Sequence, residues 1–314
     1  MRIIDTVHAK GGKIEEFYSI CGALPAPEAA TNPFRYKFSW SPKGVIMAGN
    51  NDARYLRNGK VVELPNEKLF RNPFKFEFET IGELDIYPNR DSISYKEIYG
   101  IPEVKTVFRG TFRYPGWCEI LDVMKQLGLI SYEKYHLDGM THADLMALLI
   151  NSIKTDNIRG QVALHLNIDV DAYAIKALEW LGLFSEQKMN RTIDSPFEIT
   201  SDLMIAKMVL EPEERDMVVM QHVFLASYPD DSKEVIRSHM LDFGTPATDT
   251  SIARTVALPA AIGAEMILNR QINVKGVYRP TIPEIYNPIL DQLEALDIRM
   301  VEEFGLPLSA NIQF

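Results

Sequence analysis

The sequence contains two cysteines in 314 residues, Cys21 and Cys118. Two thiols are too few for a disulfide framework or a four-cysteine zinc site, and they are typical of a reducing compartment, so we expect a cytoplasmic location. The six histidines are scattered, with only His136 and His142 near each other. This spacing argues against a histidine metal site, and we expect no metal.

Positive charge is also in short supply. The chain has 33 Lys and Arg residues against 43 Asp and Glu residues, which gives a formal net charge of -10. Such a surface repels nucleic acid and anionic lipid, and no run of basic residues offsets the repulsion. No apolar run reaches the ~18 residues of a membrane span, and no signal-peptide core is present. We therefore expect a soluble chain with no nucleic acid and no membrane as partners.

The familiar catalytic motifs are missing. The chain has no GxGxxG fingerprint, no Walker loop, no GxSxG elbow, no HExxH and no CxxC. The rest of the composition is ordinary, with 46% hydrophobic and 24% charged residues. The length allows about two domains and a core that needs no covalent or metal staple. Any function must therefore come from less conventional arrangements.

Hydrophobic periodicity predicts an α/β chain. The end of a helix is predicted around Ile3, Ile4 and Val7, then a turn at 11–12 and a strand at 14–20, and the Gly- and Pro-rich stretch 21–27 predicts a loop. Further strands are predicted at 59–64, 74–78, 107–114, 217–226 and 235–243. Further helices are predicted at 120–127, 145–150, 171–181, 201–210, 252–268 and 289–296, the fifth interrupted or kinked near Pro259. Thr141 and Asp144 form a capping-box pattern ahead of the second of these helices.

The predicted strand 107–114 carries a candidate anion site. Its aromatic residues fall on one face, so Arg109, Thr111 and Arg113 share the other. Arg90, in the segment 87–92, is predicted to lie in a turn after a further strand, where a solvated loop charge is the simpler interpretation. Together, however, the three arginines predict a cluster of guanidinium groups. Such a cluster suits a ligand with several carboxylates, because arginine binds carboxylates in a bidentate geometry.

Two polar positions leave alternatives open. Ser41 precedes Pro42, which suits the first position of a helix. Its hydroxyl could contact a phosphate at the helix N-terminus or could only cap its own helix. His222 lies beside Gln221 in an apolar strand, and we interpret it as a hydrogen-bonded core histidine.

Several segments, in chain order, resemble saccharopine dehydrogenase of the glutamate-forming type. They are CGALPAPE at 21–28, YKFSWS at 36–41, YPNRDS at 87–92, RGTFRY at 109–114, WLGLFS at 180–185, ERD at 214–216, QH at 221–222 and NP at 287–288. The resemblance covers nearly the whole chain. It implies hydride transfer from saccharopine to NADP or NAD, followed by hydrolysis of the imine to glutamate and aminoadipate semialdehyde.

The resemblance also implies site residues. Four would line the saccharopine site: Arg90, Thr111, Phe112 and Arg113. Four would lie at the dinucleotide: Ser41, Cys21, Gly22 and Trp40. Saccharopine has three carboxylates, which accounts for the arginines. No catalytic residue is assigned, because the lysine and aspartate that the family places at the substrate amine lie upstream of this sequence.

The family begins with a Rossmann domain, and the resemblance implies the following division. Residues 1–20 are the tail of that domain, 21–115 with 212–245 form an α/β substrate and dimerisation domain, 116–211 form a helical lobe, and 246–314 are C-terminal helices that pack toward the cofactor domain. The expected fold is a mixed β-sheet with helices on one face plus the helical lobe. Packing toward an absent domain would leave apolar surface exposed.

The expected partners are saccharopine or another polycarboxylate amino acid, a second copy in a homodimer, and a Rossmann domain that a separate chain could supply. Two alternatives remain: a non-catalytic binding or assembly module that keeps the fold, and a related reductase such as a carboxynorspermidine-forming enzyme. The choice between NAD and NADP stays open, because the ribose-reading residue lies outside this sequence.

Overall fold

The structure is a computed structural model that describes residues 1–153 and 155–312. Its strands are β1 (Lys13–Pro25), β2 (Ala53–Arg57), β3 (Lys60–Leu64), β4 (Phe74–Phe78), β5 (Gly82–Pro88), β6 (Thr106–Arg113), β7 (Tyr135–His136), β8 (Ile193–Asp194), β9 (Asp216–Ser227), β10 (Lys233–Phe243) and β11 (Val301–Leu306). Its α-helices are α1 (Arg2–Ala9), α2 (Pro42–Met47), α3 (Tyr95–Ile98), α4 (Trp117–Gln126), α5 (His142–Leu149), α6 (Ile158–Leu166), α7 (Tyr173–Leu181), α8 (Pro196–Lys207), α9 (Ser251–Leu268) and α10 (Pro283–Ala295).

A nine-stranded mixed sheet lies at the centre of the fold. Its main path has the order β11-β10-β9-β1-β6-β2-β3, and the β4–β5 hairpin joins it where β5 pairs with β6. The β1–β6 pair is parallel, whereas β9 and β10 pair with their neighbours antiparallel. The α/β class with a mixed sheet is therefore confirmed. Strand β11, which the periodicity did not predict, forms one edge of the sheet.

Strand β1 is longer than predicted. The prediction of a loop at 21–27 is wrong for its first five residues, because β1 continues to Pro25 and pairs along its length with β9. The glycine within it serves close packing rather than a turn. A Cβ on Gly22 would lie 2.8 Å from the Cβ of Phe112 and 2.9 Å from its carbonyl oxygen. The Tyr114 hydroxyl donates a 3.1 Å hydrogen bond to the Pro25 carbonyl at the strand's end.

The four helices predicted between β6 and β9 are present as α4, α5, α7 and α8, and the structure adds α6, which was not predicted. The capping box predicted ahead of α5 is confirmed: the Thr141 hydroxyl accepts from the Asp144 amide at 3.1 Å, and the Asp144 carboxylate accepts from the Thr141 amide at 2.8 Å. Helix α8 begins earlier than predicted because Ser195 caps it and Pro196 occupies its first position. These helices share the largest hydrophobic core with one face of the sheet.

The other face of the sheet packs against α1, α9 and α10. The Arg2 guanidinium ties α1 to α10 by donating to Asn287 at 2.9 Å and to Asp291 at 2.8 Å. Buried Asp216 holds the start of α9, since its carboxylate accepts from the Ser251 amide at 2.6 Å and the Ile252 amide at 3.1 Å. The two ends of this face are thus covered by helices fixed in place.

Helix α9 runs through Pro259 without interruption and is largely exposed. Within the described residues it is the helix whose length and composition would suffice to cross a membrane, with a mean hydropathy of 1.4, and 17% of it is buried. Arg254 and Glu265 interrupt its apolar sequence, so the helix contains no uninterrupted apolar run of ~18 residues. Val256, Ile267 and Leu268 are 63%, 61% and 81% exposed. A helix that packs against a further domain has the same character.

Candidate functional site

The middle of one sheet face is open to solvent. Strand register places six residues there in two rows across β6, β1 and β9: Arg109, Ser19 and His222, then Thr111, Cys21 and Met220. All six are at least partly accessible, whereas the residues that alternate with them are buried. Accessible residues on the central strands of a large sheet mark a cleft rather than an edge. We call these six residues the floor.

Arg113 lies at one end of the floor and is buried. Its guanidinium carbon is 4.9 Å from the ring centre of Tyr36, 5.4 Å from that of Trp117 and 5.9 Å from that of Tyr87. One guanidinium nitrogen donates to the Phe112 carbonyl at 2.8 Å, while Nε has no hydrogen-bond partner among residues 1–153 and 155–312. Among the described residues, no carboxylate forms an ion pair with this side chain. A buried cation without a counter-ion is a ready binding group for an anion.

The other two arginines are also free of carboxylate partners within residues 1–153 and 155–312. Arg109 stacks its guanidinium carbon 4.2 Å from the Tyr95 ring centre and makes a 3.4 Å contact with the Asp91 carbonyl. Arg90 is exposed, with a positive φ of 51° in the turn after β5. The Asp91 carboxylate pairs instead with Arg54 at 2.8 Å. The predicted alternation is confirmed, because Arg109, Thr111 and Arg113 share a face.

Thr111 and Cys21 are cross-strand neighbours on the floor. Thr111 is also the cross-strand neighbour of Tyr87 in the β5–β6 pair. Burial raises the pKa of the Cys21 thiol to about 11, against the opposing effect of Arg113 and Arg109. The thiol is therefore neutral near pH 7 and is not an activated nucleophile. Phe112, between Thr111 and Arg113 on β6, points into the core on the other face.

The remaining predicted positions lie around α2 and β1. Ser41 is the N-cap residue of α2, but its side chain makes no capping hydrogen bond, so its hydroxyl is free for another partner. Trp40 beside it is 47% exposed. Gly22, in contrast, is buried and faces Phe112. In the described part of the chain, no group of three or more His, Cys, Asp or Glu side chains could hold a metal ion.

A large apolar groove adjoins the floor at His222. It has a volume of about 1140 Å³, and its lining includes Phe17, Tyr95, Tyr99, His222 and Phe224. His222 is not the hydrogen-bonded core residue that the sequence predicts, because its Nδ1 has no partner. Burial lowers the pKa of His222 to about 4, so the ring is neutral at pH 7.

The aromatic residues around Arg113 were missed by the sequence analysis. Tyr36 and Trp117 come from a loop and from the first turn of α4, distant in sequence from β6. The Trp117 indole Nε1 is buried without a hydrogen-bond partner. Their only signal was the aromatic density of residues 34–40, which periodicity does not connect to Arg113.

Comparisons with known proteins identify the family of the chain. The profile of the saccharopine dehydrogenase C-terminal domain family matches residues 1–298. The NADP(+), L-glutamate-forming saccharopine dehydrogenase of Schizosaccharomyces pombe is 33% identical over 96% of this chain and 69% of its own length. The alpha-aminoadipic semialdehyde synthase of Arabidopsis thaliana is 34% identical over 96% of this chain.

The chain is shorter than these relatives, spanning 30% of the Arabidopsis protein. The solved structure of apo saccharopine dehydrogenase (L-Glu forming) from Saccharomyces cerevisiae superposes with a TM-score of 0.88 at 32% identity, covering 96% of this chain and 70% of that one. The protein belongs to the saccharopine dehydrogenase C-terminal domain family.

Proposed function

We propose that this chain is the substrate-binding part of a saccharopine dehydrogenase. The reaction is oxidation of the CH–NH bond of saccharopine, and hydrolysis of the resulting imine gives glutamate and aminoadipate semialdehyde. The observation that supports this best is Arg113, a buried guanidinium with no carboxylate partner among the described residues. Relatives named saccharopine dehydrogenase make saccharopine the first ligand to test.

Local charge rather than the overall field would hold this substrate. Saccharopine has three carboxylates, and the protein has a net charge of -10. Arg113 and the exposed Arg90 would each take a carboxylate, and Thr111 would orient one through its hydroxyl. Phe112 would act through its backbone, because its carbonyl accepts a 2.8 Å hydrogen bond from the Arg113 guanidinium and so orients that group. Ion pairs made inside a cleft are screened less than those on the surface.

The proposed cofactor is NADP or NAD, which would accept the hydride when bound. Relatives from two yeasts are named as NADP(+) enzymes. The free Ser41 hydroxyl, the exposed Trp40 and the accessible Cys21 fit contacts to a dinucleotide. The close packing of Gly22 on Phe112 fits an indirect role, in which the backbone keeps β1 in place below the nicotinamide.

We propose that a dinucleotide-binding domain, in the same polypeptide or in a separate chain, completes the site. Residues 1–20 would then belong to that domain, 21–115 and 212–245 to the substrate domain, 116–211 to the lobe and 246–314 to the covering helices. The exposed apolar side of α9 supports such a neighbour. A cytoplasmic homodimer is part of the same proposal, and sedimentation velocity would measure its mass.

Ligand-induced thermal stabilisation tests the proposal. Saccharopine should raise the melting temperature of the 314-residue chain more than glutamate or lysine does. NADPH and NADH should bind weakly to the chain alone, because it lacks the glycine-rich phosphate turn. Stabilisation by carboxynorspermidine and not by saccharopine would transfer the assignment to that reductase class. Sub-micromolar NADPH binding by the chain alone would contradict the proposal that a further domain binds the dinucleotide.

A further inference from the structure

One row of three polar floor residues has no role in the proposed function. Arg109, Ser19 and His222 form one row across three adjacent strands. Neighbouring strands are about 4.8 Å apart, so the backbones of Arg109 and His222 are about 10 Å apart with Ser19 between them. Long side chains on the outer strands can therefore reach one small group above Ser19.

Neither ring nitrogen of His222 bonds to a described residue. Its Nδ1 is enclosed by protein atoms and has no partner, so a hydrogen bond from outside must come to Nε2. The ring packs beside Phe17 in a tilted arrangement, with centroids 6.0 Å apart and an interplanar angle of 31°, and this contact limits its rotation. A neutral imidazole whose tautomer is not set by the protein can present Nε2–H as a donor.

Arg109 supplies the charge of this row. Its guanidinium stacks on Tyr95, and Tyr95 also lines the groove beside His222. The contact with the Asp91 carbonyl at 3.4 Å is long, which leaves donors for a ligand. Stacking on an aromatic ring orients an arginine without neutralising it.

We propose that Arg109 and His222 form a third carboxylate subsite, beside those of Arg113 and Arg90, with His222 donating from Nε2. This inference rests on the proposed function. Arg113 is four residues from Arg109 along β6, or about 13 Å. An extended substrate with a carboxylate at each end spans such a separation. The lysine-end carboxylate would lie over Ser19, and the aliphatic chain would contact the apolar lining of the groove.

Calorimetric titration of the 314-residue chain with saccharopine tests the subsite. His222→Phe, which keeps the stacking area, and Arg109→Met should each weaken binding about tenfold. His222→Gln, whose amide nitrogen reaches the position of Nε2, should retain most of the affinity. His165→Gln, at an exposed position of α6, is the matched control and should bind as the unmodified chain does.

A change in the ligand separates binding from folding. Saccharopine amidated at its lysine-end carboxylate should bind the unmodified chain about tenfold more weakly than saccharopine does. The His222→Phe and Arg109→Met chains should bind the amide and the acid with nearly equal affinity. Saccharopine should also shift the Nε2 resonance of His222 in nitrogen-15 spectra of the unmodified chain. Equal discrimination in all chains, or an unmoved resonance, would overturn the subsite alone. No saccharopine binding by the unmodified chain would overturn the proposed function and the subsite together.

Discussion

Replacing Arg113 with methionine should separate binding from stability. The side chain is buried, and in the described part of the protein it has no carboxylate partner. Removal would abolish one hydrogen bond to the Phe112 carbonyl and contacts with three aromatic rings. It would also remove the cost of keeping an unpaired cation out of water. We therefore expect a change in unfolding free energy close to zero, within about 1 kcal/mol.

The loss in binding should be much larger. A charge-assisted hydrogen bond contributes about 1.5–3 kcal/mol, which corresponds to roughly a 10- to 150-fold weaker affinity for saccharopine. Methionine fills a similar space without a donor, so the aromatic cage of Tyr36, Tyr87 and Trp117 should stay packed. The unpaired Nε indicates that at least one donor is available to a ligand.

Urea unfolding and calorimetry on the same samples would measure both quantities. Arg35→Met is the matched control, because Arg35 also stacks on a ring, with its guanidinium carbon 4.5 Å from the Tyr114 ring centre, but lies outside the floor. It should leave saccharopine affinity unchanged. A loss of more than about 3 kcal/mol in stability for Arg113→Met would show that the arginine is mainly structural. Unchanged affinity would refute the assignment of Arg113 to the substrate.

Three further predictions concern the scaffold. Asp216→Asn should destabilise the fold by about 2 kcal/mol in chemical unfolding, because it removes a buried charged acceptor for two α9 amides, whereas exposed Asp231→Asn should have little effect. Gly22→Ala should cost about 1–3 kcal/mol, since the new Cβ would lie 2.8 Å from Phe112, while Gly59→Ala, with open space around it, should show only the cost of its positive φ. Burial raises the pKa of the Asp91 carboxyl, but hydrogen bonds from Ser94 and Arg54 outweigh burial and lower this pKa from 3.8 to about 2. The ionised carboxylate therefore stabilises the folded state above pH 4, and this stabilisation is lost as the pH falls toward 2. Asp91→Asn should flatten that part of the stability profile, and an unchanged slope in an acid titration of unfolding would contradict this reasoning.

Local patterns predicted most elements of the fold. The alternation in 107–114 placed Arg109, Thr111 and Arg113 on one face, and the capping box before α5 formed as expected. The prediction failed where sheet pairing outweighed local composition. Residues 21–25 contain glycine and proline, yet β6 and β9 hold them in a strand from both sides. Strand β11 gave no alternation signal because it is an exposed edge, with five of its six residues facing solvent.

The site was less predictable than the fold, because it depends on strand order. Nothing in the sequence places β9 beside β1 and β1 beside β6, yet that order brings His222, Ser19 and Arg109 into one row. The aromatic cage around Arg113 likewise joins positions 36, 87 and 117 through tertiary packing alone. The sequence alone was enough to identify the candidate arginines, but their neighbours in space depend on the strand register.

The missing counter-ion of Arg113 connects the acidity of the protein to its proposed function. With 43 acidic residues, a carboxylate could readily have been placed beside this guanidinium, as Asp91 is beside Arg54. Aromatic rings surround it instead, and they stabilise a cation through their quadrupoles without occupying its hydrogen-bond donors. A ligand carboxylate would then displace no internal partner. The same reasoning applies to Arg109 on Tyr95, so the two ends of the floor attract an anion by the same means.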